Sequence, residues 1–199
     1  MDNYTELFID EAEKILSTSW HNPYQKTVMF CHGFTGYPKG PAITAVISAY
    51  LSLGKYNVAL LNWEKLAAYA LPGLINSYMN WALPNAMQVP YFLGADLSET
   101  LLRVTGLDPA IGFDMKPALL RLSPTSARFV SVIHSDPNQF GSKKELGLVD
   151  FWPNFKVFGP VLQPGYFCSH NRAWEIFVDA LLNPGTIFGS HAKHFRMWN

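Results

Sequence analysis

The sequence predicts a mostly parallel α/β fold, and three observations carry that expectation. Short apolar runs recur at residues 27–31 and 56–61, with another strand-like run at 127–133; a run of this kind suits a strand buried on both faces. Segments with helical spacing lie between them, so strands and helices alternate along the chain. Three strand ends carry polar punctuation: His32-Gly33-Phe34, Asp108-Pro109-Ala110 and His134-Ser135-Asp136. Open α/β sheets gather their functional groups beyond the C-terminal ends of the strands.

The elements follow in order. Residues 9–17 have helical spacing with acids in the first turn, and His21-Asn22-Pro23 ends them. Residues 27–31 form a strand that stops at the glycine-punctuated turn His32-Gly33-Phe34-Thr35-Gly36. Residues 42–53 read as a helix, and 56–61 as a second buried strand closing on Asn62-Trp63. Between 64 and 88, Pro72 and Pro84 interrupt weak helical patterns. An amphipathic helix is expected over 96–102, then a short strand over 103–107 ending in Asp108 and a turn. The 127–133 strand enters His134. Proline and glycine dominate 150–165, and His170 lies in a loop before a last helix over 172–182, which Asn183-Pro184-Gly185 stops. With 199 residues, no repeats and no low-complexity tract, the whole of 1–199 is read as one domain.

Composition excludes several classes of function. Fifteen basic and fifteen acidic residues cancel, and no basic run gives a footprint for nucleic acid. Two cysteines, Cys31 and Cys168, are too few for a disulfide framework or a zinc site. No apolar stretch reaches membrane-spanning length, and the acidic start lacks the pattern of a signal peptide. Hydrophobic residues make up 49% and charged residues 15%, which suits a well-filled core and, equally, an apolar ligand or an oily interface. Taken singly, Asp108 could be a cap or turn residue and His170 a satisfied structural histidine. Cys31 could be a small buried thiol in its strand, or could bridge to Cys168.

Together the punctuated segments resemble the pancreatic-type lipase family. The matching blocks are residues 30–36 (Phe30-Cys31-His32-Gly33-Phe34-Thr35-Gly36), 58–63, 104–110, 121–124 with 127–130, 132–136, 149–154, 163–165 and 168–173. They stand in the family's order and span about residues 8 to 190. The resemblance implies an α/β-hydrolase fold, action on triacylglycerols or on the sn-1 ester of phospholipids, and a Ser-His-Asp triad with an oxyanion hole of backbone N–H groups. It makes Asp108 the triad acid, His170 the base and the Phe34 N–H one oxyanion donor. It also implies an extracellular location and a lipid or lipid–water interface as partner. No cofactor is expected.

The departures matter as much. The family's Gly-x-Ser-x-Gly elbow, a strained strand-to-helix turn that exposes the nucleophile, occurs nowhere in this chain; Tyr50-Leu51-Ser52-Leu53-Gly54 lacks the first glycine. Arg103 runs straight into Val104 where the family has a strand, elbow and helix, on the order of 20 to 30 residues by ordinary element lengths. One central strand and its following helix are thus expected to be missing. The strands on either side must then pair with each other or leave edges open. Ser98 and Ser169 are poor substitutes, one on a helix and one facing away from the base. Ala118, Ser123 and Ser126 stand where family members have calcium-binding carboxylates, so no metal is expected. Tyr166 replaces the cysteine that opens the family's lid. The expectation is a lipase homologue without catalysis; the alternative is a lipid-binding or yolk-like storage protein.

Overall fold

The computed structural model describes residues 4–88, 101–114, 116, 117, 120–137, 139–153 and 167–192. Its strands form two parallel sheets flanked by helices. Strand β1 (Lys26–Cys31) pairs with β2 (Tyr56–Leu61), Val28 lying opposite Val58. Strand β3 (Val104–Leu107) pairs with β4 (Val130–Ile133), which pairs with β5 (Val149–Phe151). Among the described residues β1 and β3 do not pair with each other, so the strands on either side of the expected gap keep open edges. A shared helical layer ties the halves: α1 (Pro41–Ser52) packs on β1 and β2 and against α5 (Cys168–Leu182), which touches β3.

The sequence accounts for the best-built elements. Pro41 starts α1 at a position where its missing N–H costs nothing. Ile43, Val46, Ile47 and Ala49 form the buried stripe of α1 at helical spacing. Gly54, at φ +64°, turns the chain into β2. All four residues of β4 are buried, as befits a strand paired on both sides. Val130 and Val132 join Ala127 and Leu146 in one core cluster.

Other expectations need correction. Ile9–Ser17 is 3-10 helix rather than α-helix, with no residue buried; short helices draw most of their stability from a packed face, and this one has none. Strand β1 is not buried on both faces: Lys26, Thr27, Met29 and Cys31 are exposed, and among the described residues β1 has one neighbour only. Cys31 is therefore no core thiol, and no Cys31–Cys168 disulfide forms. Pro84 does not break its helix. Residues 74–86 run as α3 (Leu74–Ser77), a wide π turn (Tyr78–Ala82) and α4 (Leu83–Ala86), after the single turn α2 (Glu64–Ala67). The wide turn lies directly before Pro84, whose nitrogen could not donate to an ordinary helical partner. Residues 127–129 precede β4 rather than belonging to it. The three-residue β5 was not expected within a proline- and glycine-rich stretch. Of the helix expected over 96–102, residues 96–100 lie outside the described residues, and Leu101 and Leu102 are not helical. Ser98, Ala118 and Tyr166 also lie outside the described residues.

Candidate active site

The C-terminal end of β3 delivers Asp108 into a buried position with φ +50°, a left-handed conformation that a non-glycine residue adopts at a cost. That backbone twist aims the carboxylate at the loop after β4. Oδ1 accepts from the Ser135 N–H at 2.8 Å and the Asp136 N–H at 2.9 Å. Oδ2 faces His170 Nδ1 at 2.6 Å, the distance of a charge-assisted hydrogen bond. His170 sits in the first turn of α5, which starts at Cys168, four residues earlier than expected; it is not in a loop. Its side chain is 30% exposed, whereas that of Asp108 is 0% exposed. The ring is thus held at one nitrogen by a dry carboxylate and open to solvent elsewhere.

Two features shape this pair that sequence reasoning missed. A side chain on Gly141 would place its Cβ 2.3 Å from Asp108 Oδ1, so only glycine lets the backbone pass the carboxylate. The Phe140 and Phe167 rings flank His170, each 6.2 Å from it between centroids. Asp136 is a second buried acid here. Burial, then the neighbouring Asp108 charge, pushes its carboxyl above the usual range; the Phe140 N–H and His170 oppose this.

His134, at the end of β4, belongs to a different pair. It is fully buried, with Nε2 2.7 Å from Asp150 Oδ1 and Nδ1 3.0 Å from the Ser142 carbonyl. Its ring stacks on Trp152 with centroids 3.8 Å apart. Burial raises the Asp150 pKa, but hydrogen bonds from His134 and the Leu146 and Gly147 N–H groups outweigh it and hold the carboxyl below the usual range. Both residues stood in noted blocks; nothing in their spacing of 16 joined them.

The other half-sheet ends in His32-Gly33-Phe34. His32 is buried, its Nε2 facing the Trp63 N–H at 3.4 Å and its carbonyl accepting from Trp63 Nε1 at 2.7 Å. It locks the end of β1 to the end of β2. Gly36 is required because a Cβ there would lie 2.5 Å from His32 Nδ1. Phe34 stacks obliquely on Tyr78, ring centroids 5.4 Å apart. Thr35 N–H is taken by the Ala67 carbonyl and Gly36 N–H by that of Gly33; among the described residues none accepts from Phe34 N–H. No described contact joins Phe34 to His170.

No described serine hydrogen-bonds the His170 ring. Ser135 Oγ donates to the His170 carbonyl, not to the imidazole. Ser123 Oγ lies within hydrogen-bond distance of the Thr125 and Ser126 hydroxyls. Among the described residues there is no cluster of three or more potential metal ligands.

An α/β protein with a buried carboxylate on an imidazole at its strand ends belongs to a recognisable class, and comparison names the family. A family model described as Lipase matches residues 86–199. The chain is 31% identical to Lipase member H-B of Xenopus laevis over 213 positions, covering 88% of this chain and 45% of that protein. It is 28% identical to Pancreatic lipase-related protein 2 of Cavia porcellus (87% of this chain, 48% of the relative). It is 25% identical to Pancreatic triacylglycerol lipase of Equus caballus (94% and 51%). The chain belongs to the pancreatic-type lipase family, and its fold is a partial α/β-hydrolase fold. It spans about half the length of these relatives. Moreover, 88% of 199 residues is about 175, well short of 213 aligned positions, so the Xenopus laevis relative has residues inside the matched span without a counterpart here.

Proposed function

We propose that this chain carries the acid–base half of a lipid-ester hydrolase and, lacking a nucleophile, does not turn over esters as it stands. The observation behind the reading is the 2.6 Å contact between His170 Nδ1 and the buried Asp108 carboxylate, with no described serine on the ring. In this reading Asp108 fixes the tautomer that leaves His170 Nε2 free to act as base. A serine on a restored elbow would lose its proton to Nε2 as its oxygen attacks the ester carbonyl. His170 would return that proton to the departing alcohol, and the Phe34 N–H would face the oxyanion. The second oxyanion N–H ordinarily follows the serine, so it is lost with it. The absent block falls between Arg103 and Val104, and the whole of 1–199 is one incomplete hydrolase domain.

Lipid esters are the proposed substrates of the complete protein. With Tyr166 in place of the cysteine that opens the family's lid, phospholipid or galactolipid sn-1 esters fit better than triacylglycerol alone. An extracellular location follows from the resemblance only. Among the described residues no helix is long and apolar enough to cross a membrane.

The test is a graft. The chain with a strand–Gly-x-Ser-x-Gly–helix segment inserted between Arg103 and Val104 is expected to hydrolyse a short-chain p-nitrophenyl ester, and H170A in the graft to abolish it. The ungrafted chain is expected to show no turnover. A graft that folds and keeps its activity in H170A would refute the assignment of the base. Binding of phospholipid vesicles by the ungrafted chain, without hydrolysis, would favour the storage or lipid-binding alternative.

A further inference from the structure

His134 and Asp150 serve no step of the proposed chemistry, yet they sit directly behind it. The loop that holds the Asp108 carboxylate begins at His134 itself. Its first two N–H groups, Ser135 and Asp136, donate to Oδ1. Its far end brings Gly141 under the same oxygen, and Ser142 N–H donates to the Pro109 carbonyl at 2.7 Å. Between them Phe140 accepts from the Ile111 N–H at 2.9 Å and sets its ring against His170.

The His134 side chain closes this loop on itself. Its Nδ1 faces the carbonyl of Ser142, eight residues on, at 3.0 Å. Its Nε2 faces Asp150, whose Oδ1 also accepts from the Leu146 N–H at 3.0 Å. Both ring nitrogens lie within hydrogen-bond distance of neighbouring oxygens, Nδ1 of the Ser142 carbonyl and Nε2 of the Asp150 carboxylate. The ring also stacks on Trp152, with centroids 3.8 Å apart.

We propose that His134, held by Asp150, is a positioning residue: it staples the two ends of the loop that orients the Asp108 carboxylate, and through Asp108 it sets the tautomer of His170. The proposal rests on reading Asp108 and His170 as the acid–base pair. A staple acts by removing freedom from the loop it closes, and a carboxylate held by two fixed N–H groups presents its second oxygen in one direction.

The experiment reads the His170 imidazole directly. Long-range ¹H–¹⁵N NMR of the full chain reports which ring nitrogen of neutral His170 carries the proton. The wild type is expected to show the Nδ1–H form as the major one. H134L is expected to lose that preference. H134N, whose amide can donate to the Ser142 carbonyl from the place of Nδ1, is expected to retain it. H134Q, which reaches only towards Asp150, is expected to lose it, and serves if H134L does not fold. V46A, a destabilising change in the buried stripe of α1, is the control and is expected to leave the tautomer unchanged. Retention of the Nδ1–H form in folded H134L or H134Q would overturn the proposal. So would its equal loss in V46A, since that would make the effect one of general stability. A wild type without a major Nδ1–H form would instead overturn the reading of Asp108 and His170.

Discussion

Asp108 is surrounded by groups that leave it little choice. Two N–H groups bind one oxygen, an imidazole binds the other, and the Gly141 backbone fills the space beneath. Gly141→Ala would place a methyl 2.3 Å from the carboxylate oxygen. Overpacking of a rigid site costs about 1–3 kcal/mol, and urea unfolding is expected to show a loss at the upper end of that range. Asp136 offers a change of opposite sign. Its folded pKa lies above the ordinary 3.8, through burial and then the Asp108 charge. The folded state therefore binds more protons than the unfolded one as pH rises through that window, and stability falls. At neutral pH the cost is fully present, and below the ordinary value it is absent. Asp136→Asn keeps an acceptor for the Phe140 N–H and is expected to stabilise the protein at pH 7, with no gain at pH 3. Denaturant midpoints of both proteins at the two pH values check this.

At the scale of elements, much was legible. The strands at β1, β2 and β3 and the helix α1 follow from apolar runs and punctuation that local physics enforces. What failed depended on neighbours. An apolar run predicts a buried strand only if strands exist on either side; among the described residues β1 has one, and Met29 is 50% exposed. The spacing of Ile9–Ser17 predicts an apolar face, but none of its residues is buried. Strand β5 is made by pairing with β4 and by the donors around Asp150, none of which its three residues announce. The site divides likewise. The family's order of blocks singled out Asp108 and His170, which do lie in contact, whereas the positive φ of Asp108, the need for Gly141 and the His134–Asp150 pair are tertiary facts with no local signature. The exposed β1 also has a consequence for solubility. An open strand edge templates association, so the chain is expected to self-associate as concentration rises. Met29→Lys is expected to reduce light scattering while leaving the unfolding midpoint within about 0.5 kcal/mol of wild type, as for other exposed substitutions.

Over the whole molecule, the two half-sheets share a helical layer but no strand pairing among the described residues. One half carries the turn with the Phe34 N–H, and the other carries Asp108 and touches α5, the helix of His170. On the proposed reading the nucleophile's strand would join them in the complete family architecture, so a single gap would account both for the divided sheet and for a base without its serine. On the same reading, chemistry is lost with one missing block rather than through scattered decay, since the His170–Asp108 contact is kept at 2.6 Å. The measurement that tests it most directly is labelling of the purified, folded chain with a serine-directed fluorophosphonate, read by mass spectrometry of the peptides. The account predicts no label on any serine, because activated attack needs a hydroxyl on the His170 ring. Stoichiometric label on one serine, lost in His170→Ala, would contradict it and would reveal a nucleophile supplied from elsewhere in this chain.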